Sequence, residues 1–238
     1  MPTPYGFEVE GHCETCKKKS QGFFCDLPLP VSRDLDILRH SATYPAGAVL
    51  FLEKQDPHGV FILCGGKVKL SISSSEGKTL ILRLAEPGEI LGLAAVFTGR
   101  PYEATAETMH PSQVAFIRRS DFLRLMEKHK EIYQAATRQL SRLYRGACEQ
   151  LRTIGLSGSA PEKVARLLLE MSSGRAPACT GVSITMPLTH EEIASCIGST
   201  RETVTRTLSD FKAKRLVAFR GSTLTIENRE ALEDIGGM

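Results

Sequence analysis

Residues Thr189–Leu208 read THEEIASCIGSTRETVTRTL, and this stretch decides the C-terminal fold. It divides into two short helices joined by a tight turn. Thr189 and Glu192 have the Thr-x-x-Glu spacing of a capping box, in which each side chain satisfies the other residue's backbone N–H. Ile193, Ala194 and Ile197 follow at helical spacing and give the first helix one apolar face. Gly198 falls where the chain must turn through a left-handed or closely packed conformation. A second helix starts near Ser199–Thr200 and buries Val204, Thr207 and Leu208. Its other face carries Arg201, Glu202, Thr205 and Arg206, side chains suited to base edges and phosphates. The small Ala194 lets the two helices cross closely. Together these features predict a helix-turn-helix; an ordinary pair of surface helices would need none of them in combination.

After the motif, Leu216–Ile226, LVAFRGSTLTI, reads as two strands about Arg220–Gly221, a β-wing. Arg201, Glu202 and Arg206 are the expected base-reading residues. Thr200, Thr205, Lys214 and Arg220 are the expected phosphate contacts, and Thr189 and Ser199 complete the DNA-binding set. Before the motif lie a helix over Glu162–Met171, a Gly/Pro/Ala loop at Gly174–Gly181 and a hinge-like linker, LSGSAP, at Leu156–Pro161. The linker follows a long helix ending near Gly155. On it Ile132, Ala136, Leu140, Leu143, Ala147, Leu151 and Ile154 are spaced 4, 4, 3, 4, 4, 3. A sustained narrow seam of this kind is expected where a helix packs along a like partner. A helix buried in its own domain is the alternative.

From about Thr43 to Arg118 the period becomes that of strands. VLFLE, GVFILCGGKVKLSIS, KTLILRL and QVAFI are short, β-rich and bounded by glycines, as in an all-β sandwich or barrel. Gly65–Gly66 and Glu76–Gly77 are expected hairpin turns. Gly88–Gly99, GEILGLAAVFTG, breaks the rhythm and predicts a short helix. Ser32–His40 predicts another, with Leu35 and Leu38 facing inward, and Ser120 is expected to cap the helix that follows the strands.

The bulk numbers set limits. A chain of 238 residues has room for one large or two ordinary domains. A net charge of +3 is too small to identify a partner, so only local placement of charge argues for nucleic acid. No apolar run approaches the ~18 residues of a membrane span and no signal peptide opens the chain, so a cytoplasmic protein without membrane association is expected. No Gly-x-Ser-x-Gly, His-Glu-x-x-His, P-loop or Rossmann fingerprint appears, so nothing selects an enzyme. Seven cysteines, an odd number, do not suit a secreted disulfide framework.

The order is β-roll, long helix, linker, winged helix. With GEILG at Gly88–Gly92 and STRETVTRTL at Ser199–Leu208, it resembles the Crp/Fnr family of bacterial transcription regulators over roughly residues 30–235. The resemblance implies an α+β chain: an N-terminal β-roll, or cyclic-nucleotide-binding-like jelly roll, a long dimerisation helix and a C-terminal winged helix-turn-helix. The corresponding boundaries are 1–30 for a cysteine-containing segment, 31–120, 121–156 and 157–238. It also implies a homodimer on double-stranded promoter DNA, with RNA polymerase as a partner. The Arg201, Glu202 and Arg206 trio is similar to the reading residues of Crp, which implies a half-site close to TGTGA rather than the Fnr-type TTGAT.

The family resemblance makes a cyclic nucleotide a poor candidate for the signal. Members that bind one hold its phosphate with an Arg followed by Ser or Thr, and its ribose with a Glu after the second Gly of GE-x-x-G. Here Leu93 follows Gly92, Pro101 follows Arg100, and Tyr102 and Glu103 fall near the Arg-Ser position. A carboxylate there repels phosphate. Cys13, Cys16 and Cys25 resemble instead the N-terminal cysteines through which the Fnr branch binds a [4Fe–4S] cluster. The later strand position that supplies Fnr's fourth cysteine is Ala115 here, and Cys64, at the end of FILC, is the candidate to replace it. Three readings stay open: an iron–sulfur cluster, a zinc site or bare redox thiols.

Overall fold

The computed structural model describes residues 12–14, 16, 24–172, 182–185, 188–220 and 223–237. The Gly174–Gly181 loop, the Gly221 turn of the wing and most of the first 23 residues lie outside that set. The chain divides into two units, 1–146 and 147–238.

The first unit opens with helix α1, Leu29–Leu38. It begins three residues earlier than the sequence pattern suggests, because Pro28 and Pro30 initiate rather than block it: neither position needs a backbone N–H in the first helical turn. Val31, Ser32 and Leu35 face inward. Strands β1 (His40–Tyr44) and β2 (Val49–Phe51) follow, then β3 (Gly59–Gly65), β4 (Val68–Ser73), β5 (Thr79–Ala85) and β6 (Ile90–Leu91). Next come helix α2 (Leu93–Thr98), β7 (Thr105–Thr108) and β8 (Ser112–Arg118). The strands make two four-stranded antiparallel sheets, ordered β1-β8-β3-β6 and β2-β7-β4-β5. Their apolar faces form the β-roll's core.

Gly77 turns a true hairpin, with Ser73 opposite Thr79. Gly65–Gly66 does not. β3 and β4 belong to different sheets, so this glycine pair is the corner where the chain changes sheet. Gly66 has φ +95°, and a Cβ there would lie 2.1 Å from Ser112 Oγ, so the corner demands glycine on both conformational and steric grounds. The polar strands β1 and β7 carry no apolar alternation and escape the sequence pattern. Thr108 of β7 is buried because its hydroxyl donates to the Pro45 carbonyl at 2.6 Å and accepts from Ala48 N–H at 2.9 Å.

Helix α3, Arg119–Lys128, is preceded by Arg118 as N-cap, not Ser120, which lies inside the first turn. His129 breaks the helical run, and α4, Lys130–Leu156, carries the chain into the second unit. There follow α5 (Ala160–Ser172), β9 (Val182–Thr185), α6 (His190–Ile197), α7 (Arg201–Ala213), β10 (Val217–Arg220), β11 (Thr223–Ile226) and α8 (Arg229–Gly236). The wing strands pair antiparallel, and β9 adds to them in the order β10-β11-β9. No helix among the described residues is long and apolar enough to cross a membrane.

The seam drawn from Ile132 to Ile154 is not a single outward face. Ile132 and Ala136 are buried in the core of the first unit, and Leu140 packs against that core. Leu143 and Ile154 are half-buried, while Ala147 and Leu151 are exposed. The outward strip runs through Tyr133, Thr137, Leu140, Tyr144, Ala147 and Leu151, spaced by three or four residues. Tyr133, Tyr144 and Leu151 on it are 49%, 73% and 70% exposed.

Candidate nucleic-acid interface and cysteine cavity

The helix-turn-helix is held by its own sequence. Thr189 accepts Glu192 N–H at 3.2 Å, while the Glu192 carboxylate accepts Thr189 N–H at 2.9 Å, closing the capping box. Gly198 has φ +63° and ends α6 in the left-handed conformation. The next N–H, of Ser199, reaches back to the Ala194 carbonyl at 2.9 Å. Ser199 therefore belongs to the turn, and Thr200 is the N-cap of α7, accepting Thr203 N–H at 3.3 Å. Val204, Thr207, Leu208 and Phe211 bury the inner face of α7. The buried Thr207 hydroxyl is satisfied by the Thr203 carbonyl at 2.9 Å.

The outer face of α7 presents Arg201, Glu202, Thr205, Arg206 and Ser209, all exposed. Lys212, Lys214 and Arg215 continue the exposed cationic surface at its C-terminal end, and Arg220 closes β10. Two of the expected DNA contacts are engaged within the protein. Thr205 donates to the Arg201 carbonyl at 2.9 Å and shares a hydrogen bond with His190 Nδ1 at 2.9 Å. Glu202 folds back on the helix start, where its own N–H and the Thr200 hydroxyl hold its carboxyl below the usual range. Ser209, Lys212 and Arg215 share the exposed surface of the residues read from sequence, and His190 sits beside Thr205. Ser209 lies one turn beyond Thr205, so helical spacing carries its signal; His190 is placed only by the crossing of α6 and α7.

The cysteines meet in the first unit. Cys13, Cys16, Cys25 and Cys64 line one small cavity of about 30 Å³, with His12, Phe24, Leu35, Arg39, Ile62 and Leu63. Cys64 sits on β3, beyond Ile62, the residue paired with Ala115 of β8. The fourth cysteine thus comes from the strand beside the Ala115 position. Charge is built into the wall. The Arg39 side chain is 4% exposed; its Nε meets Asp36 Oδ1 at 2.6 Å, and its Nη1 donates to Cys64 Sγ at 3.7 Å. The other oxygen of Asp36 accepts Cys13 N–H at 2.9 Å. Burial pushes the Cys13 thiol up to about 12 and the Cys64 thiol up to about 11, with the Arg39 charge opposing both. Among the described residues, no group of three or more Cys, His, Asp or Glu is already gathered tightly enough to hold a single ion. Cys196 is buried on the inner face of α6, and Cys148 lies half-buried on α4; neither lines the cavity.

The residues set beside a nucleotide phosphate by the family resemblance are placed as follows. Tyr102 is buried; its hydroxyl donates to the Gly59 carbonyl at 2.6 Å and its ring stacks on Phe51 at 4.1 Å between centroids. Glu89 is paired with Arg83. Arg100, Pro101 and Glu103 are exposed.

Residues 162–235 match the model of the Crp-like helix-turn-helix domain, and residues 42–129 match that of the cyclic nucleotide-binding domain. A CRP-like cAMP-activated global transcriptional regulator of Mycobacterium tuberculosis is 26% identical over 190 residues, covering 79% of this chain and 84% of that one. The global nitrogen regulator of Synechococcus elongatus is 27% identical, covering 79% and 86%. The transcriptional activatory protein AadR of Rhodopseudomonas palustris is 28% identical, covering 89% and 86%. Among solved structures, FixK2 from Bradyrhizobium japonicum superposes with a TM-score of 0.73 at 23% identity, covering 83% and 96%. A CRP-family transcriptional regulator from Thermus thermophilus does so with a TM-score of 0.69 at 25% identity, covering 83% and 97%.

Proposed function

The chain belongs to the Crp/Fnr family of DNA-binding transcriptional regulators, and we propose that a thiolate-held metal centre controls its DNA binding. The centre is built from Cys13, Cys16, Cys25 and Cys64. The observation that carries this reading is the convergence of these four half-buried cysteines on one small cavity. Cys64 is far from the other three in sequence and belongs to another element, so the fold, not chain proximity, brings it there.

The donor set suits soft metals, which thiolates prefer over hard cations. Arg39 supplies a positive charge and an N–H to the sulfur wall, two features that stabilise thiolate charge out of water. The raised thiols of Cys13 and Cys64 make these two poor bare redox cysteines, which need depressed pKa values and access. A bound metal would instead drive thiolate formation itself. Between the metals, the likeness of Cys13, Cys16 and Cys25 to the N-terminal cysteines of the Fnr branch favours a [4Fe–4S] cluster over zinc. A cluster would supply redox and oxygen chemistry at this site.

The protein then acts as a parallel homodimer through the exposed strip of α4 that includes Tyr144 and Leu151. Two recognition helices about one DNA turn apart, ~34 Å, read a palindrome, and RNA polymerase is the partner at promoters. The placement of Tyr102, Pro101 and Glu103 supports a signal other than a cyclic nucleotide.

The test is the absorption spectrum and the iron and zinc content of anaerobically purified protein. Iron with sulfide, lost in Cys64→Ser but kept in Cys148→Ser, is the expected result. Zinc alone would replace the cluster with a zinc centre, and metal-free protein would overturn the reading. Titration with cyclic AMP and cyclic GMP checks the rejected signal, and a shift in DNA affinity with either would restore it.

A further inference from the structure

We propose that helix α1 carries the state of the cysteine cavity to the root of α4, and that the contact between Asp34 and His129 is the coupling. The inference rests on the thiolate-centre reading and concerns how that centre acts.

One end of the linkage is the cysteine segment. Asp36 of α1 accepts the backbone N–H of Cys13 at 2.9 Å. Arg33 pairs with Glu14 at 3.0 Å. Arg39, just beyond the helix, bridges Asp36 and the Cys64 sulfur. A change in what the sulfurs hold therefore acts on three charged side chains fixed to this helix.

The other end is the elbow between α3 and α4. Asp34, also on α1, meets His129 Nε2 at 2.6 Å and Lys128 Nζ at 2.7 Å. The His129 side chain is 14% exposed. His129 is the residue from which α4 springs: its N–H ends α3 on the Leu125 carbonyl at 3.0 Å, and its carbonyl accepts Ile132 N–H at 3.1 Å. Ile132 and Leu35 belong to one core, against which Cys13 and Cys64 also pack. Close-packed interiors transmit displacement rather than absorb it. A shift of α1 is therefore passed on through a rigid core and the contacts of Asp34 with His129 and Lys128, and α4 bears the dimer strip. Asp34 is a positioning residue: it touches neither sulfur nor DNA.

The experiment compares full-length wild type, Asp34→Asn, His129→Gln and the double variant. Each is isolated anaerobically, and half of each preparation is stripped of metal with a chelator. Metal content and absorption spectrum are recorded first. Affinity for a duplex selected from random DNA by the wild type is then measured for both halves. For wild type the two affinities should differ by roughly 5–150-fold, the usual range for allosteric coupling. Either single variant should bring the ratio to within about twofold of one, with the double variant no lower, and with metal content and spectrum unchanged. A merely structural contact would lower stability yet leave the ratio intact, and that result overturns the proposal. If Asp34→Asn does not fold, His129→Gln alone decides. Wild type that holds metal but shows a ratio of one leaves the centre structural and overturns the coupling alone. Wild type without metal overturns the thiolate reading as well.

Discussion

Gln139 grips Ile90 by both ends of its amide: Oε1 accepts Ile90 N–H at 2.9 Å, and Nε2 donates to the Ile90 carbonyl at 2.6 Å. Gln139 lies on α4 and is fully buried; Ile90 lies on β6, a strand of only two residues. β6 pairs with β3 on one edge, and the Gln139 side chain supplies a partner on the other. Gln139→Leu would leave a buried donor and a buried acceptor unpaired. Each such loss costs about 1–3 kcal/mol, so a large fall in urea stability is expected. Equal stability of wild type and Gln139→Leu would show that water or a shifted side chain replaces the clamp.

The exposed strip of α4 separates assembly from folding. Leu151→Lys and Tyr144→Lys place charge on residues that are 70% and 73% exposed, so the isolated fold should tolerate them. Both should give monomers by light scattering and weaken DNA binding, because two half-sites are no longer held together. Ile132→Ala acts elsewhere. It empties space in the first unit's core and should cost about 2–5 kcal/mol of stability with the dimer interface intact. Variants at Tyr144 and Leu151 that remain dimeric would remove the strip from the interface.

The contrast between those residues shows what the sequence reveals. The helix-turn-helix was legible in full because capping box, left-handed glycine and apolar spacing are all local signals, each realised within a few residues. The roll was legible as strands but not as two sheets: whether Gly65–Gly66 is a hairpin or a corner depends on which strands pair across the core. Helical spacing could not show that Ile132 faces its own domain while Leu151 faces outward, since both lie at apolar positions of one helix. Tyr133, Thr137 and Tyr144 escaped because none is counted as a seam residue by hydrophobicity alone. The cysteine cavity was half legible. Cys13 and Cys16 announce themselves by spacing, whereas Cys64 joins them only through the register of β3 against β8. α8 went unread for want of a long apolar period; its Asn228 cap, accepting Ala231 N–H at 3.0 Å, is the signal that was present.

Acid stability should depend on Asp34. Hydrogen bonds from Lys128 and His129 hold its carboxyl below the ordinary 3.8. The folded state therefore favours the ionised form. Its stabilisation is present above the unfolded-state value and is lost as the pH falls through the lower folded value. Wild type should be more stable than Asp34→Asn at neutral pH, with the gap closing below about pH 4. Thermal unfolding of both proteins from neutral to acid pH measures this. A gap that is constant with pH would mean the carboxylate is not tied as described.

Metal-free protein offers a check on the cysteine cavity. With its thiol raised from 9.0 to about 11, Cys64 carries far less thiolate at mildly alkaline pH than an unperturbed cysteine. Two units correspond to about a hundredfold less thiolate, offset only in part by the greater nucleophilicity of a more basic sulfur, so slower alkylation is expected. Mass spectrometry after timed iodoacetamide treatment should find Cys148 modified well before Cys64. Prompt labelling of Cys64 would reopen the redox-thiol reading.

The last prediction concerns the DNA sequence. Arg201 opens α7 and Arg206 lies five residues on, both exposed on the outer face. Arg prefers the O6/N7 edge of guanine, and each good pair is worth about 1–3 kcal/mol of discrimination. Glu202, beside Arg201, accepts hydrogen bonds and suits the cytosine N4 amino group. In the free chain its carboxylate is turned to its own N–H and to Thr200. To reach a base it must release that cap, and Thr200 can hold the helix start alone because it already accepts Thr203 N–H. The resemblance of Arg201, Glu202 and Arg206 to the reading residues of Crp implies a half-site near TGTGA, with guanines opposite the two arginines. Thr205 is tied to His190 and should contribute little alone. Arg201→Ala should therefore relax selection at one G·C pair, and Glu202→Ala should relax it at a neighbouring cytosine. Arg220→Ala, on the wing, should weaken all sequences alike and lower the salt dependence, as loss of a phosphate contact does. Selection from random DNA with wild type and the three variants reads all of this at once. A motif unchanged by Arg201→Ala would remove that arginine from base reading. A motif changed by Arg201→Ala but not by Glu202→Ala would leave Glu202 as a helix cap and nothing more.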